Sequence, residues 1–180
     1  RLSAELDRRM SAESFGYRPS RSVTHALDRA RRLARDHLWV LDADIRSFFD
    51  EVAHDRLLDD LSIWLDDPRL IDLMALWLDS FGQDRGLAQG APISPLLANI
   101  FLHPLDADFC RRGIPHVRYA DDFLAFAPTR RAAQRARDVA ARGLARRGLV
   151  LHPEKTRVAP LSEGVPFLGS VVKIERSVRK

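Results

Sequence analysis

Apolar positions recur at helical spacing over residues 22–37, where Val23, Ala26, Leu27, Ala30, Leu33 and Ala34 form one stripe. The run Leu38-Trp39-Val40-Leu41-Asp42-Ala43-Asp44-Ile45 then predicts a strand. Residues 55–65 and 68–81 predict two helices, the second with Pro68 at its start. After a glycine-containing loop over 82–90, Ser94 is the expected N-cap and Pro95 the first residue of a long helix reaching Cys110. His116 to Ala120 and Phe123 to Ala127 are strand-like runs separated only by Asp121-Asp122, which predicts a hairpin. Thr129 is placed to cap an Arg/Ala-rich helix ending near Gly148, and 156–159 and 167–174 read as short strands. The first 20 residues, including Ser14-Phe15-Gly16-Tyr17-Arg18-Pro19-Ser20, read as loop. From Leu38 onward the order is the β-α-β-β-α-β split of ferredoxin-like α+β folds. That architecture hosts many activities, so function has to be argued from a site.

Composition narrows the classes. The 180 residues are 46% hydrophobic and 30% charged, a globular and soluble balance. No apolar run approaches the ~18 residues needed to span a bilayer, so no membrane partner is expected. Cys110 is the only cysteine, which excludes an internal disulfide and a Cys-rich zinc site and fits a cytoplasmic protein. The chain opens on Arg1-Leu2-Ser3, without an initiator Met or a signal-peptide pattern, and Val178-Arg179-Lys180 closes no element. It is therefore expected to be part of a longer protein. Net charge is +4, and of the basic residues only Lys155, Lys173 and Lys180 are lysines. Arginine suits phosphate contacts, although a GC-rich genome gives the same skew.

The acidic residues carry more information. Side chains alternate across a strand, so Trp39, Leu41, Ala43 and Ile45 share a face suited to packing, while Leu38, Val40, Asp42 and Asp44 share the other. Asp121 and Asp122 sit at the hairpin tip. In the split order the two strands can be neighbours, and three or more carboxylates would then converge at one sheet edge. Such groups repel and need a divalent cation to stay ionised together. Oxygen-only ligands favour Mg²⁺, which also binds substrate phosphate. Two such ions ~3.5–4 Å apart would clamp an in-line phosphoryl displacement. Alone, an Asp-Asp pair is simply a polar turn.

Five blocks in order remove that simpler reading: Phe15-Gly16-Tyr17-Arg18-Pro19-Ser20-Arg21-Ser22, Asp42-Ala43-Asp44-Ile45-Arg46-Ser47-Phe48-Phe49-Asp50, Gln89-Gly90-Ala91-Pro92-Ile93-Ser94-Pro95-Leu96-Leu97-Ala98-Asn99, Arg118-Tyr119-Ala120-Asp121-Asp122 and Pro153-Glu154-Lys155-Thr156. Together they resemble the reverse transcriptases, in particular the bacterial lineage related to group II intron-encoded enzymes and including CRISPR-associated ones. Phe167-Leu168-Gly169 is similar to that family's primer-grip turn, and the resemblance spans about residues 14 to 172. Ala88 departs from the pattern, since many relatives have Pro before the Gln.

The resemblance implies a polymerase palm over 38–180 and part of the fingers over 1–37, with the thumb and the upstream fingers outside this chain. It implies that Asp44, Asp121 and Asp122 are catalytic and hold two Mg²⁺ ions, with Mn²⁺ as a substitute, and that Ile45 contributes to the metal and nucleotide sites. Asp42 is read as a neighbouring polar group. Phe49 matches the steric gate that fills the space of a ribose 2′-OH, which implies dNTP use, and it can also be a core ring beside Phe48. Gln89 and Gly90 match the stretch lining the incoming nucleotide and template base. Lys155 resembles the lysine proposed to protonate departing pyrophosphate, or is an exposed lysine without a role. Arg18 and Arg21 match the fingers-side basic block, where phosphate contact and loop anchoring are both open. Arg29, Arg32 and Arg35, and likewise Arg131, Arg135, Arg142 and Arg146, form rows that are solvated faces or contacts to template–primer phosphates.

The function implied is RNA-directed DNA synthesis on an RNA template from a DNA or RNA primer, by a group II intron-type or CRISPR-associated enzyme with intron RNA or CRISPR adaptation proteins as further partners. An intron maturase-type RNA-binding scaffold is the alternative, and Phe49 and Ala120 disfavour an RNA-templated RNA polymerase.

Overall fold

The computed structural model describes residues 2–174; Arg1 and 175–180, including Val178-Arg179-Lys180, lie outside the described residues. Four strands form one sheet in the order β2-β3-β1-β4: β1 (Trp39–Ala43), β2 (His116–Tyr119), β3 (Asp122–Ala127) and β4 (Arg157–Pro160). All neighbours are antiparallel, with Trp39 opposite Ala127 and Ala43 opposite Phe123 in one pair, and Asp42 opposite Arg157 in another. This is the split order expected from the sequence, and β1 and β3 are adjacent as it requires.

Strand parity decides what each face buries. Leu41, Ala43 and Ile45 point into a core completed by α4 (His54–Trp64), α6 (Ser94–Arg111) and α7 (Arg130–Ala145), with Leu61, Phe101, Phe109 and Ala140 among its members. On the opposite face Val40, Leu124 and Phe126 pack against Ala26, Ala30 and Leu33 of α2 (Val23–Arg35). Phe167 and Val172 of the β5 (Val165–Phe167) and β6 (Ser170–Val172) hairpin join that second core. Covered on both faces through Val40 and Leu41, the sheet turns polar only at the far end of β1, where Asp42 and Asp44 lie.

Side chains that satisfy orphan backbone groups start several helices. Ser22 Oγ accepts the His25 amide at 3.2 Å, and Thr129 Oγ1 accepts the Ala132 amide at 3.2 Å. Asp67 does the same for Arg69 ahead of α5 (Pro68–Asp79). Ser94 differs from its expected role as a cap. It is the first helical residue, 1% exposed, and its hydroxyl donates to the Ala88 carbonyl at 2.7 Å, pinning the loop before it.

Three other segments differ from expectation. Residues 2–9, read as loop, form α1 (Leu2–Arg9), whose Leu6 is 2% exposed and packs with Met10 into the first core. The charged residues between them hide the helical spacing, and Arg9 is committed, stacking over Trp64 at 4.8 Å and donating to the Ile63 and Trp64 carbonyls. The strand expected over 167–174 is instead β5 and β6, because Leu168 and Gly169 take φ of 50° and 74° and fold the chain back. A one-turn helix, α3 (Phe48–Glu51), follows the left-handed Ser47.

If α1 is integral to the first core, Leu6→Ala should destabilise the chain by about 2–5 kcal/mol in urea unfolding. A loss within experimental error would show that α1 is dispensable to the fold.

Candidate active site

The carboxylates meet because of register. Continuing the β1–β3 pairing one step beyond Ala43 and Phe123 sets Asp44 opposite Asp122. The hairpin is closed by the Tyr119–Asp122 pair, so its two-residue loop is Ala120-Asp121 rather than Asp121-Asp122. Asp122 is thus the first residue of β3 and Asp121 the second residue of the turn. Ala120 takes φ 57°, a left-handed geometry costing an L-residue on the order of 1 kcal/mol.

A buried polar network holds this turn. The Arg118 guanidinium and the Asp106 carboxylate, each 1% exposed, pair through Nε at 2.9 Å and Nη2 at 2.6 Å. Arg118 Nη1 donates to the Ala120 carbonyl at 2.9 Å and to Asn99 Oδ1 at 3.0 Å. Asn99 Nδ2 in turn donates to the Gly16 carbonyl at 2.8 Å. The segment before Gly16 runs alongside β2, with the Phe15 and Arg118 amides donating to the Arg118 and Glu13 carbonyls at 2.8 Å. Gly16 lies so close that a Cβ there would sit 2.4 Å from the Ala120 nitrogen. Only glycine permits that approach.

A second segment zips onto the end of β1. The Arg46 amide donates to the Val150 carbonyl at 3.0 Å and the His152 amide to the Asp44 carbonyl at 2.8 Å. The turn that follows swings Lys155 inward, and its Nζ donates to Asp44 Oδ2 at 3.0 Å. Arg157, directly across from Asp42, donates to Asp42 Oδ2 at 3.1 Å. Asp42 is therefore partnered away from the other three carboxylates.

Electrostatics single out the same group. Burial, then the negative charges of Asp121 and Asp44 and a hydrogen bond with Asp44, push the Asp122 carboxyl up to about 6. Burial and the Asp44 charge also raise Asp121, against Lys155 and Arg118. Lys155 is raised by its hydrogen bond to Asp44 and by that residue's charge. The acidic cluster thus competes for positive charge, which a proton, an ammonium or a cation can supply. Among the described residues no three His, Cys, Asp or Glu side chains stand close enough together to hold a metal ion as they are arranged here. An all-oxygen, partly open donor set fits a hard divalent cation that keeps water or phosphate oxygens in its shell. The Ile45 side chain is 1% exposed in the core, so only its main-chain carbonyl is available to such an ion.

Two cavities adjoin the cluster. One of about 350 Å³ is lined by Asp44, Arg46, Asp50, Asp121, His152 and Lys155 together with Phe49 and Gln89. The other, of about 460 Å³, is lined by Tyr17, Gly90, Pro92 and Pro95, again with Phe49 and Gln89. Phe49 also stacks edge-on against buried Phe48 at 5.4 Å, so a core contact and a cavity wall coexist in one ring. Burial, then the Asp121 and Tyr119 charges, push the Tyr17 phenol up, keeping it neutral.

Arg18 and Arg21 stand apart from these cavities' charged wall. Arg18 is 8% exposed, paired with Asp7 and donating to the Ser11, Ser14 and Asp7 carbonyls, which is loop anchoring. Arg21 donates to the Ala12 carbonyl and lies over the Phe15 ring at 4.9 Å. Asn99, Arg118, Asp106 and His152 have parts in the site that sequence reasoning did not assign. An arginine inside the apolar β2 run, with buried acids on the preceding helix, was the available signal.

The family model for reverse transcriptase (RNA-dependent DNA polymerase) matches residues 1–172. The chain belongs to the reverse transcriptase family. Protein YkfC of Escherichia coli is 27% identical over 212 residues, covering 91% of this chain and 56% of that protein. Group II intron-encoded protein LtrA of Lactococcus lactis is 34% identical over 101 residues, 52% of this chain and 17% of its own length. Retron Mx65 reverse transcriptase of Myxococcus xanthus is 42% identical over 78 residues, 41% of this chain and 18% of its own. Telomerase from Candida albicans superposes with a TM-score of 0.76 at 14% identity, over 96% of this chain and 36% of that one. That likeness establishes the palm-type polymerase fold. The chain spans little more than half of YkfC and a smaller share of the other three.

The turn's dependence on the buried pair is measurable. Burial pushes the Asp106 carboxyl up, but the Arg118 charge and hydrogen bonds outweigh it and hold the group below the usual range. Its stabilisation is therefore present above about pH 4 and is lost as pH falls through the folded value. Arg118→Met should cost about 3–5 kcal/mol at neutral pH by stranding Asp106, and adding Asp106→Leu should recover the part due to the stranded charge but not the part due to the Ala120 carbonyl and Asn99 losing their donor. Urea unfolding of the single and double variants checks both. A cost below about 1 kcal/mol for the single variant would mean that the pair behaves like a surface bridge.

Proposed function

We propose that the chain is the catalytic middle of an RNA-directed DNA polymerase, with Asp44, Asp121 and Asp122 as its metal-holding carboxylates. The register that sets Asp44 opposite Asp122, next to the turn residue Asp121 that shares a cavity with Asp44, carries the reading. The family generally uses divalent metal ions, and the donor set suits two Mg²⁺, for which Mn²⁺ can substitute. When bound, such ions would activate the primer hydroxyl and neutralise charge on the phosphates.

The chain's own groups do the rest. The primer 3′-oxygen forms a bond to the α-phosphorus of a dNTP, its proton passes to solvent water, and the bond from that phosphorus to pyrophosphate breaks. Lys155, in the charged cavity, is placed to give the leaving pyrophosphate a proton. Phe49 closes the wall where a ribose 2′-hydroxyl would lie. The Gln89 amide and Gly90 main chain are within the same pair of cavities to hold the bases. Catalysis on this plan is alignment plus electrostatic stabilisation.

Residues 1–37 then belong to the fingers and 38–180 to the palm, with RNA as template and a DNA or RNA primer. Intron-type biology is supported by likeness to a group II intron-encoded protein. A CRISPR-associated role and its adaptation proteins rest on motif wording alone. One exposed thiol, Cys110, suits the reducing cytoplasm.

In the full-length protein, Asp121→Asn should reduce primer extension on an RNA template to trace levels while leaving the unfolding midpoint unchanged or higher. Extension at a substantial fraction of the wild-type rate would remove the assignment, whereas a variant that no longer extends yet still supports the protein's biological role would favour an RNA-binding scaffold. Phe49→Ala should raise NTP incorporation relative to dNTP by about tenfold or more, read from single-nucleotide extension. Equal discrimination in both proteins would take the sugar-sensing role from this ring.

A further inference from the structure

Tyr17 combines features that packing does not explain. It is 53% exposed, and its backbone is left-handed at φ 60°, a geometry that aromatic residues rarely adopt. Such a residue persists only where its surroundings over-determine it. Here they do so from three sides. Gly16 is wedged against the Ala120 backbone, the neighbouring Arg18 guanidinium is buried on Asp7, Ser11 and Ser14, and the Tyr17 ring leans on the Tyr119 ring at 6.4 Å and 47°. The result is an aromatic face held out beside the acidic turn.

The two cavities differ in chemistry. The one holding Asp44, Asp121 and Lys155 is charged and suits phosphates and metal. The one Tyr17 lines has no ionised side chain: its walls are Phe49, Pro92, Pro95 and the Gly90 main chain, with the Gln89 amide as a polar handle. Flat apolar walls plus one amide recognise a nucleobase rather than a phosphate. Phe49 and Gln89 face both spaces, so a base in the second lies alongside a nucleotide in the first.

We propose that Tyr17 is a template-binding residue, its ring stacking on the template base in the uncharged cavity at the position being copied. The strained backbone, otherwise a pure cost, is what presents the ring to that base. This rests on the polymerase reading given above.

The test uses full-length protein and an RNA template–primer carrying 2-aminopurine at the templating position. Tyr17→Gly removes the ring while accepting the φ of 60°, so it should fold at least as well as wild type. Tyr17→Phe keeps the ring. Wild type and Tyr17→Phe should quench the fluorophore on binding, whereas Tyr17→Gly should quench little and bind the template–primer about tenfold or more weakly, as expected for one lost stack. With an abasic site at that position, all three proteins should bind equally. Equal quenching by Tyr17→Gly and wild type overturns the proposal, as does a raised dNTP KM with unchanged quenching. Asp121→Asn, run in parallel, should quench normally without extending. If it extends normally, the polymerase assignment fails whatever Tyr17 does.

Discussion

The site depends on one buried ion pair. Arg118 and Asp106 are both almost wholly removed from water, and a charge so placed is tolerated only when its partner and hydrogen bonds are in good geometry. Here that geometry is used for connection. The same guanidinium reaches the Ala120 carbonyl and Asn99, and Asn99 reaches Gly16. α6, the β2–β3 hairpin and the N-terminal segment are joined at one buried polar node. A partly satisfied network of this kind would be worse than none, so the three segments are held as a set.

Around that node the chain separates two kinds of environment. The sheet is dry on both faces until the end of β1, and polarity appears only where the covering layers stop. Carboxylates placed at that boundary lie close together and are reluctant to ionise jointly, with Asp121 pushed up by desolvation and the Asp44 charge, and Asp122 by desolvation and the Asp121 and Asp44 charges. Lys155 answers part of the charge through Asp44 while staying solvent-facing. A site poised to attract cations thus arises from an ordinary strand pairing and the limits of its cover.

Much of this was legible in the chain. Alternation along β1 placed Asp42 and Asp44 on one face, and the split order made β1 and β3 neighbours, so the meeting of Asp44 with Asp122 followed from periodicity and topology. What was less legible depended on tertiary partners. Ser94 carries the signature of a cap but spends its hydroxyl on the Ala88 carbonyl of the preceding loop, a partner set by the tertiary path of that loop. α1 reads as loop because its charged residues find their partners across the fold, as Arg9 does on Trp64. The hairpin moved by one residue because Ala120 accepts a left-handed turn held by Arg118 and Gly16, which no local propensity announces.

Phe49 and Gln89 form a party wall between the two cavities. One consequence is evolutionary. A lineage drifting toward a different nucleotide sugar cannot reshape this wall on one side only, since each substitution also alters the neighbouring chamber. Under the proposed polymerase reading, variation at these two positions is expected to be correlated rather than independent, and a substitution that widens the charged chamber also reshapes the one that Tyr17 lines.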